Sequence, residues 1–248
     1  MSAPDRFATQ AAQYEFPYHY IPYLDSQGRA ARVRRLWWGM EYLCYQHHAV
    51  ELVTGLKPGS VLEVGCGDGR FIGMLQERVT RCVGVDLVEP AIRFAQAFHP
   101  RVEFRCTDVA NITEVFDVVA TVEVLEHIPD AVVPQFVRGL CDRVRPGGHL
   151  LMCVPSDAEP VHPKHYRHYS EALLHEHVAA SGVALQRMSV QHVFDPPGWW
   201  SAINRITCNS TATLEIPALN GWLWRYLWRH RVAAPGKGRH IIALYRRE

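Results

Sequence analysis

The residues with the clearest chemical meaning are three glycines that follow a short apolar run. Gly65, Gly67 and Gly69 are separated from one another by single residues. Glycines at this spacing let the chain turn sharply and bring its backbone close to a ligand before a helix begins. A second apolar run ends in Asp86, 21 residues after Gly65. A carboxylate in that place can accept hydrogen bonds from both hydroxyls of a ribose, so the two runs together predict a nucleoside-binding site.

Two kinds of nucleoside cofactor compete for such a site. Dinucleotide sites use the spacing G-x-G-x-x-G, which leaves room for a pyrophosphate at the helix N-terminus. In this sequence the spacing is G-x-G-x-G, Glu63 precedes the glycines and Asp68 lies among them. Negative side chains repel a pyrophosphate and attract a cation. The loop therefore favours a positively charged nucleoside.

Two later segments carry side chains that could move protons or hold an ion. Glu123, Glu126 and His127 form an E-x-x-E-H pattern, and histidines also stand at positions 162, 165 and 168, ahead of a helix start at Ser170. Imidazoles and carboxylates can act as general bases toward a hydroxyl acceptor. A mixed oxygen and nitrogen set can also hold Mg, Mn or a similar cation. The alternative is that the histidines at 162, 165 and 168 belong to a solvated surface loop and have no role in chemistry.

The elements that must position these residues alternate along the chain. Strands are predicted near 61–65, 82–86, 102–106, 116–121 and 148–154, and helices near 68–77, 89–98, 131–144 and 170–181. This alternation predicts an α/β fold with a doubly wound, mostly parallel sheet, and ligands at the carboxyl ends of its strands. Further strands are expected at 183–193 and 240–245, and the residues between them form an insertion over 195–238.

The domain organisation follows from a change in composition near residue 57. Residues 1–56 are rich in Tyr, Trp, His and Arg, which predicts an N-terminal helical cap with a helix at 34–52. Residues 57–248 form the sheet domain. The aromatic stretch 14–23 and the pair Trp37-Trp38 are candidates for a lid over a substrate or for core packing of the cap.

The loop from Glu63 to Gly69 resembles the first motif of class I S-adenosylmethionine-dependent methyltransferases. Asp86 matches the family's ribose-binding acid, Asp108 matches the residue that meets the adenine amino group, and further motifs follow in register over about 57–193. The resemblance implies a Rossmann-like, seven-stranded sheet whose last strand is antiparallel. It implies S-adenosylmethionine as the cofactor and the following cofactor-binding residues: Glu63, Gly65, Cys66, Gly67, Gly69, Asp86, Leu87, Asp108, Val109 and Glu123.

The E-x-x-E-H pattern resembles two subgroups of this family, the ubiquinone-pathway O-methyltransferases and the metal-dependent enzymes that 2′-O-methylate small RNA ends. The histidine-rich segment 162–170 resembles one that is common in methyltransferases of glycan and secondary-metabolite pathways, where it flanks the acceptor. His127 is the preferred base, and Glu126, His165 and His168 are expected to assist. By resemblance to the RNA-end enzymes, a divalent metal would be held by Glu123, Glu126, His127 and His168. Many class I enzymes carry the same pattern without a metal. A site that uses His127 as the base and holds no metal is therefore the alternative to the metal site.

Composition narrows the compartment and the partners. The chain of 248 residues has a formal net charge of +1, which argues against a globally basic nucleic-acid binder. Its seven cysteines form no CxxC pair, and no apolar run is long enough to span a bilayer, so a reduced, cytoplasmic location is expected. The basic segment 217–232 has an apolar stripe of Leu219, Trp222, Leu223, Tyr226 and Leu227. This stripe could lie on the inner membrane face, on the domain or on a second subunit of a homodimer.

Four hypotheses about function remain open at this point. The first is an O-methyltransferase that acts on a hydroxyl of a saccharide, a glycan intermediate or another small metabolite. The second is a membrane-associated O-methyltransferase of a prenylated phenol or quinone precursor, and the third is a metal-dependent RNA-end 2′-O-methyltransferase. The fourth is a subunit that binds the cofactor without catalysis.

Overall fold

The computed structural model describes residues 23–24, 27–28, 30–31, 36–207, 214 and 216–248. Its strands are β1 Tyr23–Leu24, β2 Ala30–Ala31, β3 Ser60–Val64, β4 Arg81–Asp86, β5 Glu103–Cys106, β6 Phe116–Val122, β7 Val144–Pro155, β8 Leu185–Val193, β9 Val232–Ala233 and β10 His240–Arg247. Its helices are α1 Leu36–Gly55, α2 Arg70–Leu75, α3 Glu89–Phe98, α4 Val133–Arg143, α5 Glu171–Ala179, α6 Gly198–Thr207 and α7 Pro217–Arg229. Single 3-10 turns lie at Val109–Asn111 and Leu125–His127.

The central sheet confirms the predicted Rossmann-like α/β fold. Among the described residues it has eight strands in the order β5-β4-β3-β6-β7-β10-β8-β9. The strands β3 to β7 pair in parallel, and β10 lies antiparallel between β7 and β8, as expected of the last long strand. The eighth strand, β9, was not predicted. It has two residues, and it forms where the insertion returns along the end of β8 and pairs with His192 and Val193.

The core has two layers because side chains alternate across each strand. On β7, Leu151 and Cys153 face the layer that contains α1, whereas Leu150, Met152 and Val154 face the layer that contains α4 and α5. Residues 36–55, the described helix of the predicted cap, therefore share their core with the sheet domain. The helix α1 packs into the same core as the sheet, and it contacts α2, α6, α7, β7 and β10.

Several element boundaries differ from the sequence-based expectation. The predicted helix at 68–77 is shorter, from Arg70 to Leu75, because Gly67 and Gly69 have positive φ and keep the first residues out of the helix. Strand β7 is longer than predicted and begins at Val144, so the turn-like sequence at 145–148 is part of it. The stretch 14–22 and the side chains of Trp37-Trp38, proposed as a lid, lie outside the described part of the structure.

The insertion between β8 and β10 contains the two helices α6 and α7. On α7, Leu223, Trp224 and Leu227 are buried in the layer that contains α1, whereas Trp222 is 49% exposed. The predicted apolar stripe therefore packs mainly on the domain, and Trp222 belongs to the opposite face. None of the seven helices described above combines the length and the hydrophobicity that a membrane-spanning segment requires.

Candidate cofactor and acceptor site

The glycine loop between β3 and α2 has the backbone that its spacing predicts. Gly65, Gly67 and Gly69 have φ of 77°, 53° and 77°, a region that costs other residues free energy. The N–H groups of Gly65 and Cys66 donate to the carbonyl oxygen of Val85 at 2.8 and 3.0 Å. The loop is thereby fixed to the end of β4, so the predicted ribose acid lies beside it.

Asp86 points toward the glycine loop. Its Oδ2 accepts from the Gly67 N–H at 2.8 Å, and its Oδ1 accepts from the Val88 N–H at 2.9 Å. Burial raises the pKa of Asp86, and the backbone N–H donors act against that rise. Each carboxylate oxygen keeps a second acceptor site, so Asp86 can still receive ribose hydroxyls.

Two residues assigned to cofactor binding lie beneath the loop rather than on its surface. Glu63 is 3% exposed, and its Oε2 accepts from the Ile72 N–H in the first turn of α2 at 3.0 Å. Burial raises the pKa of Glu63 well above its ordinary value. Cys66 is also buried. These positions support the loop from inside, whereas the sequence suggested that Glu63 frames the ligand directly.

The predicted adenine contacts lie at the ends of β4 and β5. Leu87 is 55% exposed, which is high for a large apolar side chain that follows a strand end. Asp108 is exposed, and its Oδ1 accepts from the Ala110 N–H at 2.8 Å, so it begins the turn that follows β5. Val109 is buried within that turn. An exposed apolar side chain at the end of one strand, with carboxylates at the ends of that strand and of its neighbour, fits a flat, neutral base joined to a hydroxylated sugar.

The E-x-x-E-H segment forms the neighbouring wall of the site. Glu123 follows β6 with φ of 55°, a rare conformation for a residue with a side chain. Val124 comes next and packs on Gly65 so closely that a Cβ added to the glycine would lie 2.4 Å from its Cγ2. The missing side chain of Gly65 therefore lets the two loops touch.

His127 carries the chemistry expected of a base. Its Nδ1 lies 3.3 Å from the carbonyl oxygen of Lys164, and its Nε2 lies 3.6 Å from Oε1 of Glu126. A carbonyl oxygen only accepts, so this contact places the proton on Nδ1 and the lone pair on Nε2. Burial lowers the pKa of His127, which keeps the ring neutral near pH 7. Burial also raises the pKa of Glu126, and the charge of Glu123 adds to the effect.

The later histidines pack beside this base and beside one another. The rings of His127 and His165 are 4.8 Å apart, and His165 Nδ1 lies 2.9 Å from His168 Nε2. His168 Nδ1 lies 2.9 Å from the carbonyl oxygen of Glu159. Burial lowers the pKa of His165 to about 3, and the neighbouring His127 and His168 add to the effect. The structure thus brings together all four residues proposed as catalytic.

Two residues that the sequence did not indicate hold Glu123 in place. His240 lies on β10, where Nδ1 is 3.0 Å from Oε1 of Glu123 and Nε2 is 3.1 Å from Oε1 of Glu41 on α1. Burial alone would lower the pKa of His240, but the two carboxylates outweigh it and raise the pKa to about 10. The same ion pair outweighs the effect of burial on Glu123 and lowers its pKa.

Arg167 is a third residue whose role the sequence did not indicate. Its Nη1 donates to the carbonyl oxygen of Leu125 at 2.9 Å, and its Nη2 donates to that of Ile128 at 2.7 Å. The guanidinium also pairs with Asp130. Arg167 therefore holds the backbone on both sides of His127. In the sequence HYRHY at 165–169, the histidines indicated possible chemistry. No pattern indicated that Arg167 between them binds the backbone around His127.

The metal set inferred from the sequence is only partly assembled. Among the described residues, ligand atoms of Glu126, His127 and His165 lie within 4.8 Å of one another, and Glu123 instead groups with Cys153 and His240. Glu123 is turned away because it pairs with His240, and both ring nitrogens of His168 already have partners. His165 therefore replaces His168 in the group that could hold an ion. Oε2 of Glu126 is buried and has no hydrogen-bond partner.

Comparisons with known proteins agree with this geometry. A family described as a methyltransferase domain matches residues 36–230. A probable S-adenosylmethionine-dependent methyltransferase of Mycolicibacterium smegmatis is 30% identical over 136 residues, which are 51% of this chain and 52% of the relative. A ubiquinone biosynthesis O-methyltransferase of Idiomarina loihiensis is 31% identical over 106 residues, 39% of this chain and 42% of the relative. The chain thus spans about half the length of these curated relatives.

Solved structures share the fold over a larger part of the chain. The N-methyltransferase NodS from Bradyrhizobium japonicum, in complex with S-adenosyl-L-homocysteine, has a TM-score of 0.54 at 18% identity and covers 82% of this chain and 87% of its own. A SAM-dependent methyltransferase from Archaeoglobus fulgidus has a TM-score of 0.58 at 14% identity and covers 84% and 94%. The glycine loop, its acidic partner and the family match agree: the chain belongs to the methyltransferase-domain family and has the class I S-adenosylmethionine-dependent methyltransferase fold.

Proposed function

We propose that the protein transfers a methyl group from S-adenosylmethionine to a hydroxyl group of a small metabolite, saccharide or glycan intermediate. The observation that carries the proposal is the position of His127, a neutral imidazole with a free Nε2 lone pair, on a segment that packs against the glycine loop through Val124 and Gly65. A base is thereby held next to the loop that the cofactor would occupy. A hydroxyl acceptor needs such a base, because its proton must leave as its oxygen takes the methyl group.

The donor set at the strand ends fits the cofactor. Asp86 would hold the ribose hydroxyls, Leu87 and Asp108 would meet the adenine, and the glycine backbone would lie along the methionine part. When bound, S-adenosylmethionine supplies an electrophilic methyl group on a sulfonium. The acidic character of the loop, with Asp68 and Asp86 close to the glycines, suits that positive charge.

The protein's own contribution is alignment and removal of one proton. In-line methyl transfer requires the acceptor oxygen at about 3–3.5 Å from the methyl carbon. The protein therefore needs a rigid segment opposite the glycine loop, here residues 123–127, and it needs no covalent intermediate with a side chain. Arg167 fixes the backbone around His127, and His240 fixes Glu123 at the start of the same segment. His127 Nε2 would take the hydroxyl proton, and the protonated ring would stay close to Glu126.

The curated relatives support oxygen as the acceptor atom. Several of the matching relatives are named ubiquinone biosynthesis O-methyltransferases, including those from Idiomarina loihiensis and Paracidovorax citrulli. A phenolic acceptor is accordingly one member of the substrate class that we propose. The saccharide and glycan members rest on the histidine-rich edge alone.

The test is a comparison of His127→Ala with the unchanged protein. Release of S-adenosylhomocysteine is measured with a panel of phenols, catechols and saccharides, and binding of S-adenosylhomocysteine is measured by calorimetry. Loss of a positioned general base should lower kcat by about 10²–10⁴-fold while the dissociation constant changes little. His230→Ala, at an exposed histidine after α7, is the control. Normal turnover by His127→Ala would exclude His127 as the base.

A metal-assisted version of the same reaction is favoured by one observation. Glu126, His127 and His165 group their ligand atoms, and one carboxylate oxygen of Glu126 is buried without a partner. A divalent ion held there would favour the deprotonated acceptor in place of a free base. Turnover is therefore measured after EDTA treatment and after return of Mg²⁺, Mn²⁺ or Zn²⁺. Full activity in the chelator would exclude this version and the RNA-end hypothesis together.

A further inference from the structure

The insertion between β8 and β10 begins and ends at the edge of the sheet that carries the site. Val193 at the end of β8 is paired with His240 at the start of β10, and His240 is in turn paired with Pro155 at the end of β7. The Phe194 N–H donates to the carbonyl oxygen of Arg231 at 2.8 Å, and the Arg239 N–H donates to that of Phe194 at 3.1 Å. Both ends of the insertion are thus anchored beside the proposed acceptor site.

One side of the helix pair α6 and α7 is fixed to the domain. Trp200, Leu223 and Leu227 are at most 4% exposed and belong to the same core as α1. Trp224 stacks against Trp228 with ring centroids 5.4 Å apart. The inward faces of both helices therefore pack against the core that contains α1, and their other faces point away from the domain.

The outward faces carry large apolar side chains. Trp199 is 38% exposed, Trp222 is 49% exposed and Ile206 is 76% exposed. Trp199 and Ile206 are seven residues apart, two helical turns, so they share one face of α6. The indole of Trp199 lies 5.7 Å from that of Trp222 and 5.1 Å from the ring of Tyr226. Three aromatic rings on two helices thus form one cluster.

Arginine side chains surround this cluster. Arg225 and Arg229 follow Trp222 at three and seven residues, so they share its face of α7, and both are exposed. Arg205 is exposed next to Ile206 on α6. Among the described residues of the two helices and of the strand β9 that follows them, none is Asp or Glu. The face defined by Trp199, Ile206, Trp222, Arg225 and Arg229, called here the aromatic–arginine face, is positive and partly apolar.

We propose that the aromatic–arginine face binds the surface of a bilayer that contains anionic lipids. Tryptophan rings prefer the boundary between headgroups and acyl chains, and arginines beside them attract anionic headgroups. Protein interfaces are also enriched in aromatic and arginine side chains, so a second copy of this chain is the alternative occupant that the experiment below tests. On the bilayer, the site edge of the sheet would lie close to the lipid, where a lipophilic hydroxyl acceptor would be held.

The charge of the face sets the size of the expected effect. Each basic residue near an anionic surface contributes about 1 kcal/mol, which is about a fivefold gain in affinity. Removal of Arg225 and Arg229 should therefore weaken binding about 30-fold. Their contribution should fall with salt, because screening at about 0.15 M already limits attraction to about 8 Å.

The experiment is co-sedimentation of the full chain with vesicles of phosphatidylglycerol and phosphatidylcholine, and with vesicles of phosphatidylcholine alone. The unchanged protein should bind the anionic vesicles at least tenfold better. Trp199→Ala/Trp222→Ala and Arg225→Gln/Arg229→Gln should each lose at least tenfold of that affinity. All of these side chains are exposed, so the fold should survive, and unchanged binding of S-adenosylhomocysteine confirms it.

The matched control is Arg93→Gln/Arg101→Gln, which removes two exposed arginines from outside the aromatic–arginine face and should bind vesicles as the unchanged protein does. Equal binding by all variants, or no vesicle binding by the unchanged protein, would overturn the proposal. Sedimentation without lipid tests whether a second copy of the chain occupies the face instead. If the unchanged protein does not bind vesicles but forms a dimer, and Trp199→Ala/Trp222→Ala dissociates that dimer, the face is assigned to a second copy. Methyl transfer is measured separately, so the vesicle result stands whatever the acceptor is.

Discussion

Substitution of Gly65 by alanine tests whether the two loops of the site are fitted to each other. Gly65 has φ of 77°, so an alanine there costs about 1–2 kcal/mol from backbone strain alone. Its Cβ would also lie 2.4 Å from Cγ2 of Val124, an overlap that forces a shift of the loop. Overpacking of this kind costs about 1–3 kcal/mol. Gly65→Ala should therefore lower the free energy of unfolding by about 2–5 kcal/mol.

A matched control separates the two contributions. Gly236 has φ of 76°, and nothing lies within 4 Å of an added Cβ, so Gly236→Ala should cost only the strain of about 1–2 kcal/mol. Urea unfolding measures both variants, and Val124→Ala in each background completes a double-mutant cycle. Val124→Ala should recover about 1–3 kcal/mol with Gly65→Ala and none with Gly236→Ala. If the two glycine variants were equally stable, the contact between the loops would have no energetic weight.

Three further predictions concern the cofactor acid, the buried ion pairs and the pH dependence of transfer. Asp86→Asn should weaken binding of S-adenosylhomocysteine about 10- to 150-fold by calorimetry, because hydrogen bonds to a charged group contribute about 1.5–3 kcal/mol; Asp142→Asn on α4 should leave affinity unchanged, and equal affinities would remove Asp86 from the site. His240→Gln should cost about 3–5 kcal/mol of stability at pH 7, because Glu41 and Glu123 lose their counterion. Because the pKa of His240 is raised to about 10, its stabilising effect is complete below pH 6.5 and is lost as the pH rises through 10. The difference in free energy of unfolding between the unchanged protein and His240→Gln, measured in urea, should therefore narrow from pH 8 to 10. A constant difference would contradict this prediction. Since burial lowers the pKa of His127, kcat should stay level from pH 7 to 8 and decline only below its ordinary value of 6.5; a decline that begins above pH 7 would point to another group.

Local patterns were sufficient for the parts of the site that are built from short stretches of chain. The spacing of Gly65, Gly67 and Gly69 reflects the positive φ that each adopts, and the position of Asp86 follows from the parallel register of β3 and β4. The alternation of strands and helices predicted the sheet for the same reason, since each unit pairs with a neighbour in sequence.

Residues that act through distant contacts could not be predicted in this way. Glu41 and His240 are 199 residues apart, and neither stands in a recognisable motif. His240 gains its role because β10 enters the sheet beside β7 and brings the imidazole to Glu123. His165 replaces His168 in the group around Glu126 for a similar reason, because loop packing and not spacing decides which ring faces which.

Burial also changes the interpretation of residues that the sequence assigned to the candidate site. Glu63 belongs to the loop motif, but the sequence does not show that its carboxylate points inward to Ile72. Trp222 fell on the apolar stripe of α7 by helical periodicity, yet the structure turns it outward with Arg225. Trp222 lies at the border of the apolar stripe, where helical periodicity alone does not show whether a side chain is buried. The width of the buried face is set by the helix α1, against which α7 packs.

The position of β10 between β7 and β8 has a consequence for biogenesis. As the chain leaves the ribosome, β7 and β8 emerge well before residues 240–247, and no shorter product can bridge the gap between them. Until that strand arrives, two unpaired strand edges stay open to chaperones or to other nascent chains. The segment with His127 likewise lacks the imidazolium that braces its first residue. A variant truncated after residue 238, which lacks β10, should therefore be insoluble rather than folded and merely less stable.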